Sequence, residues 1–137
     1  MALFPAGKYQ YKGTTVDGQK ISGASTLSHA VHAGPDVSAS DHTVVGNSLT
    51  IRWDPVSEVA TDPAGGTFPD LPINVVAYQI IVDPFQVTLP ATEPPSAMSV
   101  TVPPEFVATL EPGTHEFEVL AIDEGGNQTI SIGTFTK

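Results

Sequence analysis

Three of the four histidines lie near the N-terminus, in a segment that also carries two aspartates. His29 and His32 are three residues apart, and Asp36, Asp41 and His42 follow. Neutral imidazoles together with a carboxylate are ligands for zinc and similar divalent ions. The segment lacks a second closely spaced pair of ligands, so the alternative is that the spacing of His29 and His32 is a coincidence. We therefore expect no cofactor, unless a divalent metal ion binds to this segment.

A second candidate site is the long segment between Trp53 and Tyr78, which spans 24 residues. Loops longer than about 12–15 residues in a compact domain are usually functional or disordered. Ligand contacts concentrate on loops that a rigid scaffold positions. We interpret the segment as a ligand-binding loop, and the alternative is that its apolar tip folds back on the edge of the domain. The candidate contact residues are Glu58, Asp62, Phe68, Asp70 and Leu71.

The common catalytic arrangements do not occur in the sequence. The chain has no cysteine, no Gly-x-Ser-x-Gly elbow for a nucleophilic serine and no glycine-rich phosphate loop. Glycoside hydrolysis needs two carboxylates across a cleft, which a compact β domain with short strands rarely offers. We therefore expect that the protein is not an enzyme.

The 137-residue chain has a net charge of −10, and this charge is unevenly distributed. Residues 1–52 carry +1 and residues 53–137 carry −11, with no lysine or arginine from Trp53 to Thr136. Nucleic acids and anionic membranes attract basic surfaces. We therefore expect no nucleic-acid partner, and either a well-solvated acidic surface or a cationic partner.

The first residues, Met-Ala-Leu-Phe-Pro-Ala-Gly-Lys, have neither the basic start nor the apolar run of a leader peptide. The longest apolar stretch, Ile73 to Val82, contains Asn74 and Gln79 and is too short to span a bilayer, so we expect no membrane insertion. The sequence leaves the localisation open. A cytoplasmic protein fits these residues, and an extracellular or periplasmic one is favoured if a leader has been removed.

Short apolar segments with a period of two residues alternate with turn-forming segments, and the chain has thirteen prolines and twelve glycines. This pattern is typical of strands in a sandwich or barrel, and no window has a clear helical period. We predict an all-β fold whose core includes Trp53, Tyr78, Phe117 and Val119. The alternating segments are residues 49–53, 76–82, 98–102, 117–121 and 130–132.

Residues 9–23 are predicted to form a hairpin, because Asp17-Gly18 can supply the positive φ angles of a type I′ turn. Residues 24–47 are expected to form a connector and a first strand. We place an N-terminal extension at residues 1–34 and the main domain at residues 35–137.

Four motifs in the chain resemble those of fibronectin type III domains, and they occur in the family's order. LTIRWDP at 49–55 resembles the B strand, and YQI at 78–80 resembles the C strand. LEPGT at 110–114 resembles the E–F corner, and DEGGN at 123–127 resembles the F–G turn. The resemblance covers residues 35–136 and implies an immunoglobulin-like, two-sheet β-sandwich.

The chain departs from that family at the E–F corner. The family usually carries a tyrosine shortly after Pro-Gly-Thr, and its hydroxyl binds the backbone of the corner. His115 lies nearest to that position here. Its ring either donates an N–H to a similar backbone acceptor or faces solvent.

The sandwich is a general scaffold, so the resemblance implies no particular activity. We expect a non-catalytic binding or spacer module that belongs to a bacterial surface or secreted protein. Its expected partners are other protein domains or a protein or carbohydrate ligand. The alternative is a stand-alone metal-binding β-sandwich protein.

Strand alternation also predicts an apolar outer face of the main sheet, made by Ala77, Ile81, Leu120 and Ile122. An exposed apolar patch is normally covered or used in binding. The N-terminal hairpin of the same chain is one candidate cover. A second copy, in a two-fold homodimer, is the other.

Overall fold

The computed structural model describes residues 4–38, 42–61, 68, 72–91 and 98–137. In this part of the chain the fold is mostly β, as the sequence predicts, with antiparallel sheets and one short helix. The elements are β1 (Gly7–Thr14), β2 (Lys20–Leu27), β3 (Leu49–Arg52), β4 (Val75–Val82), β5 (Phe85–Pro90), β6 (Ser99–Val102), α1 (Pro104–Thr109), β7 (Thr114–Asp123) and β8 (Gln128–Thr136).

The strands form three sheets. A four-stranded sheet has the order β5-β4-β7-β8, a two-stranded sheet pairs β3 with β6, and the hairpin pairs β1 with β2. All of these pairings are antiparallel. Because β3 and β6 are separated in sequence by the β4–β5 hairpin, the β3–β6 sheet and the four-stranded sheet are built from interleaved parts of the chain.

One hydrophobic core joins the β3–β6 pair to the four-stranded sheet. Trp53 and Tyr78 are each 3 % exposed, and their ring centroids are 5.5 Å apart. The predicted inward orientation of Trp53, Tyr78, Phe117 and Val119 is confirmed, since all four are buried in the same cluster. The other buried members of this cluster are Leu49, Ile51, Ile80, Val82, Val102, Val107, Ala121 and Phe135.

The inward face of β8 carries small residues next to the large ones of β7. Gly133 is opposite Phe117 in the register, and Ser131 is opposite Val119. A Cβ at Gly133 would lie 2.6 Å from Cε1 of Phe117, so the ring occupies the space of the missing side chain. Similarly, a Cβ added at Gly34 would lie 2.5 Å from the hydroxyl oxygen of Ser131. The connector therefore lies directly against β8.

The isoleucines of the fifth alternating segment point away from the core. Ile130 and Ile132 are 52 % and 60 % exposed, and they are paired with Leu120 and Glu118 of β7. The apolar alternation at residues 130–132 correctly predicts a strand. Its core-facing residues are the intervening Ser131 and the flanking small residues, because the connector occupies the space on that side.

The N-terminal hairpin is confirmed, but its turn is not type I′. The strand pairing ends at Thr14 and Lys20, and the amide of Gly18 donates to the carbonyl of Thr15 at 2.9 Å. Gly18 has φ of +86°, whereas no non-glycine residue in the described part of the chain has positive φ. A type I′ turn needs positive φ at both central residues, so Asp17 cannot belong to one. The turn is a longer loop with a left-handed glycine near its end.

Two elements were not predicted from the sequence, and one expected strand is reduced to single bridges. Strand β5 alternates Phe85, Val87 and Leu89 on the inward side, and α1 lies between β6 and β7. In the described part of residues 28–48, the connector forms only isolated bridges, including a parallel one from Thr43 to Thr136. Pro35, in the middle of this segment, has no amide hydrogen to donate to a ladder.

The hairpin does not cover the outer face of the four-stranded sheet. Every residue of β1 is exposed, and Ile130 and Ile132 remain exposed as well. Leu120 is buried at 5 % exposure although it lies outside the main core cluster. Its neighbours across the sheet are Gln79 and Ile130.

Gly133→Ala tests the close packing of β7 on β8. The new methyl group would collide with the Phe117 ring, which is fully buried and cannot move without shifting the core. Overpacking of this kind costs about 1–3 kcal/mol, and we expect the free energy of unfolding to fall by that amount in urea denaturation. Gly13→Ala is the matched control, because its nearest neighbour would be the side chain of Ile21 at 3.4 Å. Equal stability of the two variants would contradict the assigned register.

Candidate functional site

The long segment after Trp53 is anchored at its beginning by the core. The hydroxyl of Tyr78 accepts a hydrogen bond from the amide of Val56 at 3.1 Å. The amide of Asp54 donates to the carbonyl of Asp36 at 2.8 Å, in an isolated antiparallel bridge. A buried aromatic side chain and the connector thus hold the first residues of the segment in place.

Residues 31–33 of the connector pair with residues 58–60 of the same segment. The amide of Ala33 donates to the carbonyl of Glu58 at 2.8 Å, and the amide of Ala60 donates to that of Val31 at 2.8 Å. These two bonds frame the bridge between His32 and Val59. Backbone pairing therefore continues well into a segment that the sequence predicts to be a loop.

The far end of the segment is held by the turn between β7 and β8. The side-chain amide of Asn74 donates to Glu124 Oε2 at 3.0 Å, and the Glu124 amide donates to the Asn74 carbonyl at 3.1 Å. Within the turn, Asp123 Oδ1 accepts from the amide of Asn127 at 2.8 Å. Asn127 Nδ2 donates to Asp123 Oδ2 at 2.9 Å and to the carbonyl of Ala30 at 3.0 Å. Connector, long segment and turn therefore meet at one end of the fold.

A cleft of about 280 Å³ lies between the connector and the beginning of the long segment. Three of its residues are carboxylates, namely Asp36, Asp54 and Glu58, and all three are exposed. The pKa of Asp36 lies below its ordinary value, chiefly because the Ser38 hydroxyl donates to Oδ1 at 2.6 Å. The backbone amide of Ser38 adds a second bond at 2.8 Å. The cleft is thus negatively charged at neutral pH.

The structure describes two of the five predicted ligand-contact residues. Glu58 is exposed at the cleft, and its carbonyl is part of the pairing with the connector. Phe68 is half-buried, which agrees with the alternative that the apolar tip packs against the domain. Asp62, Asp70 and Leu71 lie outside the described residues.

The proposed metal ligands have separate hydrogen-bonding roles. His29 Nε2 lies 3.0 Å from the carbonyl of Phe4, and Asp36 accepts from Ser38. His42 contacts the backbone of Arg52 through Nε2, and its ring centroid lies 4.5 Å from that of Phe117. In the described part of the chain, no group of three or more histidines and acids is arranged to hold a metal ion, and Asp41 lies outside it. The metal hypothesis stays a prediction, which a zinc titration would test.

His32 is a buried structural residue at 1 % exposure. The hydroxyl of Thr129 donates to the carbonyl of Ala33 at 2.9 Å, so its oxygen accepts from His32 Nδ1 at 2.6 Å. This arrangement places the proton of the neutral ring on Nδ1. Among the described residues, His32 Nε2 and Trp53 Nε1 are buried atoms without a hydrogen-bond partner. The hydrogen bond between His32 and Thr129, which are 97 residues apart in sequence, thus holds the connector against β8.

His115, at the start of β7, makes the first of the two contacts considered from the sequence. Its Nε2 donates to the carbonyl of Glu111 at 2.8 Å, and its ring stacks on Phe135 with centroids 5.3 Å apart. The ring is therefore a tie between the turn and the strand.

Several residues that position the site were not identified from the sequence as site residues. Asn74, Glu124 and Asn127 hold the ends of the loops together, and only the Gly-rich turn containing two of them gave a signal. Asn127 also begins an Asn-x-Thr glycosylation sequon. Its side-chain nitrogen is already bonded to Ala30 and Asp123, so attachment of a glycan would break this network.

No helix in the described part of the chain has the length and apolarity needed to cross a membrane. In comparisons with protein-family models, curated proteins and solved structures, the chain has no match.

Thr129→Val tests the lock between the connector and β8. The variant keeps the shape of the side chain but removes the hydroxyl that bridges His32 and Ala33. Loss of a partner from a buried polar group costs about 1–3 kcal/mol, and we expect the free energy of unfolding to fall by that amount. Thr134→Val, at an exposed position of the same strand, should stay within about 0.5 kcal/mol of the parent. If both variants match the parent, the His32 contact contributes nothing to stability.

Ser38→Ala tests the origin of the low pKa of Asp36. Without the hydroxyl, the pKa should rise toward its ordinary value, as measured by carboxyl-carbon NMR titration. Because the folded-state pKa is depressed, the stability it adds is present above the unfolded-state pKa and is lost as pH falls through the folded-state pKa. Ser57→Ala, at another serine of the same cleft, should leave the titration unchanged. An unchanged Asp36 titration in Ser38→Ala would assign the shift to another cause.

Proposed function

We propose that this chain is a non-catalytic binding or spacer module on an immunoglobulin-like, fibronectin type III-like β-sandwich, within a bacterial surface or secreted protein. The sandwich comprises residues 35–137, and residues 1–34 form an extension that ends in contact with it. An extracellular or periplasmic location accompanies this proposal if a leader precedes the mature protein.

The order of the strands supports the sandwich. In immunoglobulin-like folds, strands C, F and G are neighbours in one sheet, a C′ strand can extend it, and B and E lie in the other. The order β5-β4-β7-β8 corresponds to C′-C-F-G, and the β3–β6 pair corresponds to B and E. Both sheets contribute to one core, as two packed β layers require.

The His115 contact adds independent support. A tyrosine corner binds the side-chain tip near the start of strand F to the backbone a few residues earlier. His115, at the start of β7, makes the equivalent bond to the carbonyl of Glu111, four residues upstream. A histidine can replace the tyrosine because a ring N–H is also a donor.

The proposed binding function rests on one observation, which is that the long segment after Trp53 is anchored to the rest of the fold. The long segment is fixed at residues 54–60 and at Asn74, while the carboxylates of Asp54 and Glu58 remain exposed. A preformed backbone loses less entropy on association than a mobile one, so it binds with less cost. Protein and carbohydrate ligands both present N–H or O–H donors that carboxylates accept. The acidic cleft is therefore the proposed contact surface, and a ligand with several donors is the expected class.

The proposal is tested by amide NMR titration of the full chain with defined probes, such as a hexalysine peptide and neutral oligosaccharides of six sugars. We expect shift changes for a bound probe to concentrate in residues 33–36 and 54–60. The double variant Asp54→Asn, Glu58→Gln should weaken that binding about tenfold or more, since truncated contact residues carry most binding energy.

Glu116→Gln is the control for charge, because Glu116 is exposed on the sheet and outside the cleft. It should leave the affinity unchanged. Binding that maps to another surface would contradict the loop site, and cleavage of an oligosaccharide by the parent protein would contradict a non-catalytic function. Failure of every probe to bind would leave the spacer function as the remaining form of the proposal.

A further inference from the structure

The N-terminal hairpin has two chemically different faces. In its register Tyr9, Tyr11 and Ile21 share one face, which we call the tyrosine face. Lys8, Lys12 and Lys20 occupy the opposite face. The ring of Tyr11 lies over Gly23, where an added Cβ would be 2.6 Å from Cε2. The sequence thus makes a flat aromatic surface with a basic reverse side.

The hairpin is exposed on both faces. Tyr11 is 60 % exposed and Ile21 is 52 % exposed, and β1 and β2 pack extensively only on each other in the described part of the chain. A two-stranded hairpin on its own is marginally stable in water and normally needs a further surface to pack on. An apolar hollow of about 230 Å³ at its base, lined in part by Phe4 and Leu27, is also open to solvent.

The complementary surface is the outer face of the four-stranded sheet. Ile130 and Ile132 are more than half exposed there, and the register places them beside Leu120 and Glu118. Ile122 and Ile81 extend the same face onto the neighbouring part of β7 and onto β4. Such a contiguous apolar face on a sheet is typical of an interaction surface.

The charges of the two surfaces are opposite. Residues 4–27 contain three lysines and one aspartate, whereas residues 53–136 contain no lysine or arginine. Glu116 and Glu118 lie on the outer face in the same alternation as Leu120. The lysines lie on the reverse face of the hairpin, so their attraction to the acidic sheet acts across the thickness of the hairpin and is partly screened by salt. Attraction therefore accompanies the apolar contact, and like-charge repulsion between two acidic domains is reduced.

In the structure, the hairpin does not pack extensively on the four-stranded sheet of its own chain. The connector is held to the turn between β7 and β8 by the bond from Asn127 to Ala30, and to residues 58–60 by backbone pairing. With the connector held there, the tyrosine face and the outer face of one chain remain apart, and both stay exposed. A second copy can satisfy both surfaces without moving the connector.

We propose that the tyrosine face of one copy docks on the outer face of the four-stranded sheet of a second copy. Two different patches meet in this contact, so it either occurs twice in a reciprocal two-fold dimer or is repeated head-to-tail in a ring or an open chain of copies. This inference is independent of the proposed loop site, since no residue of the acidic cleft takes part in it.

Cross-linking of single-cysteine variants tests the contact, because the chain contains no cysteine. Tyr11→Cys and Ile132→Cys proteins are mixed in equal amounts and treated with a short bis-maleimide reagent. We expect the mixture to give cross-linked dimers in much higher yield than either variant alone. Val45→Cys is the matched control, since Val45 is 74 % exposed and outside both surfaces. Its mixtures with either variant should give only background cross-linking.

Sedimentation of the full-length parent provides the second measurement. We expect concentration-dependent association, which Ile132→Lys should weaken about tenfold or more and Val45→Lys should not change. Unchanged thermal midpoints would show that both variants are folded. A parent that remains monomeric at millimolar concentration would overturn the proposal. So would like-with-like cross-linking as efficient as that of the mixture, or a Tyr11→Cys, Ile132→Cys double variant that links only within one chain.

Discussion

The packing of Phe117 against Gly133 is the contact on which the rest of the fold depends. The ring occupies the space that a side chain at residue 133 would fill, and the His42 ring packs near it at 4.5 Å. Because β8 turns small residues toward the core, the connector can lie against it, with Gly34 beside Ser131. A larger residue at Gly34 would push the connector away from Ser131. Close packing in protein interiors leaves no space for such a residue.

The same constraint explains the surface chemistry of the sheet. Strand β8 carries the small residues Ser131 and Gly133 on its inward side before the buried Phe135, and Ile130 and Ile132 lie on the outward side. Together with Leu120, which is buried, they form an apolar face on which Ile130 and Ile132 remain more than half exposed. The accommodation of the connector inside the fold and the proposed docking surface outside it are two consequences of one strand register.

In the long segment after Trp53, the backbone and the exposed carboxylates have different roles. Backbone bonds to residues 31–33, together with the Tyr78 hydroxyl and Asn74, hold the segment, so the carboxylates of Asp54 and Glu58 are not needed for this anchoring. The carboxylate of Asp36, in the connector, differs from them because it accepts two bonds from Ser38. Carboxylates that remain solvated can exchange water for the donors of a ligand. The anchoring of the backbone lowers the entropy that such a ligand would have to offset.

The sequence by itself determined the parts of the structure that depend on neighbouring residues. Period-two alternation located β3, β4, β6, β7 and β8, and it identified Trp53 and Tyr78 as core residues, because a strand with one buried face imposes that pattern. Asp17-Gly18 correctly located a hairpin, although the turn type was wrong. The alternation at Phe85, Val87 and Leu89 was also present in the sequence and would have located β5.

Only the tertiary structure decided which face of β8 is buried, because that depends on whether the connector or solvent lies beside it. The same holds for the histidines. The spacing of His29 and His32 predicts metal ligands, but it could not indicate that His32 hydrogen-bonds to Thr129, 97 residues away. The pairing of residues 58–60 of the predicted ligand loop with residues 31–33 could not be predicted for the same reason. Contacts between distant segments form when the chain folds around a common core, and no local pattern records which segments will meet.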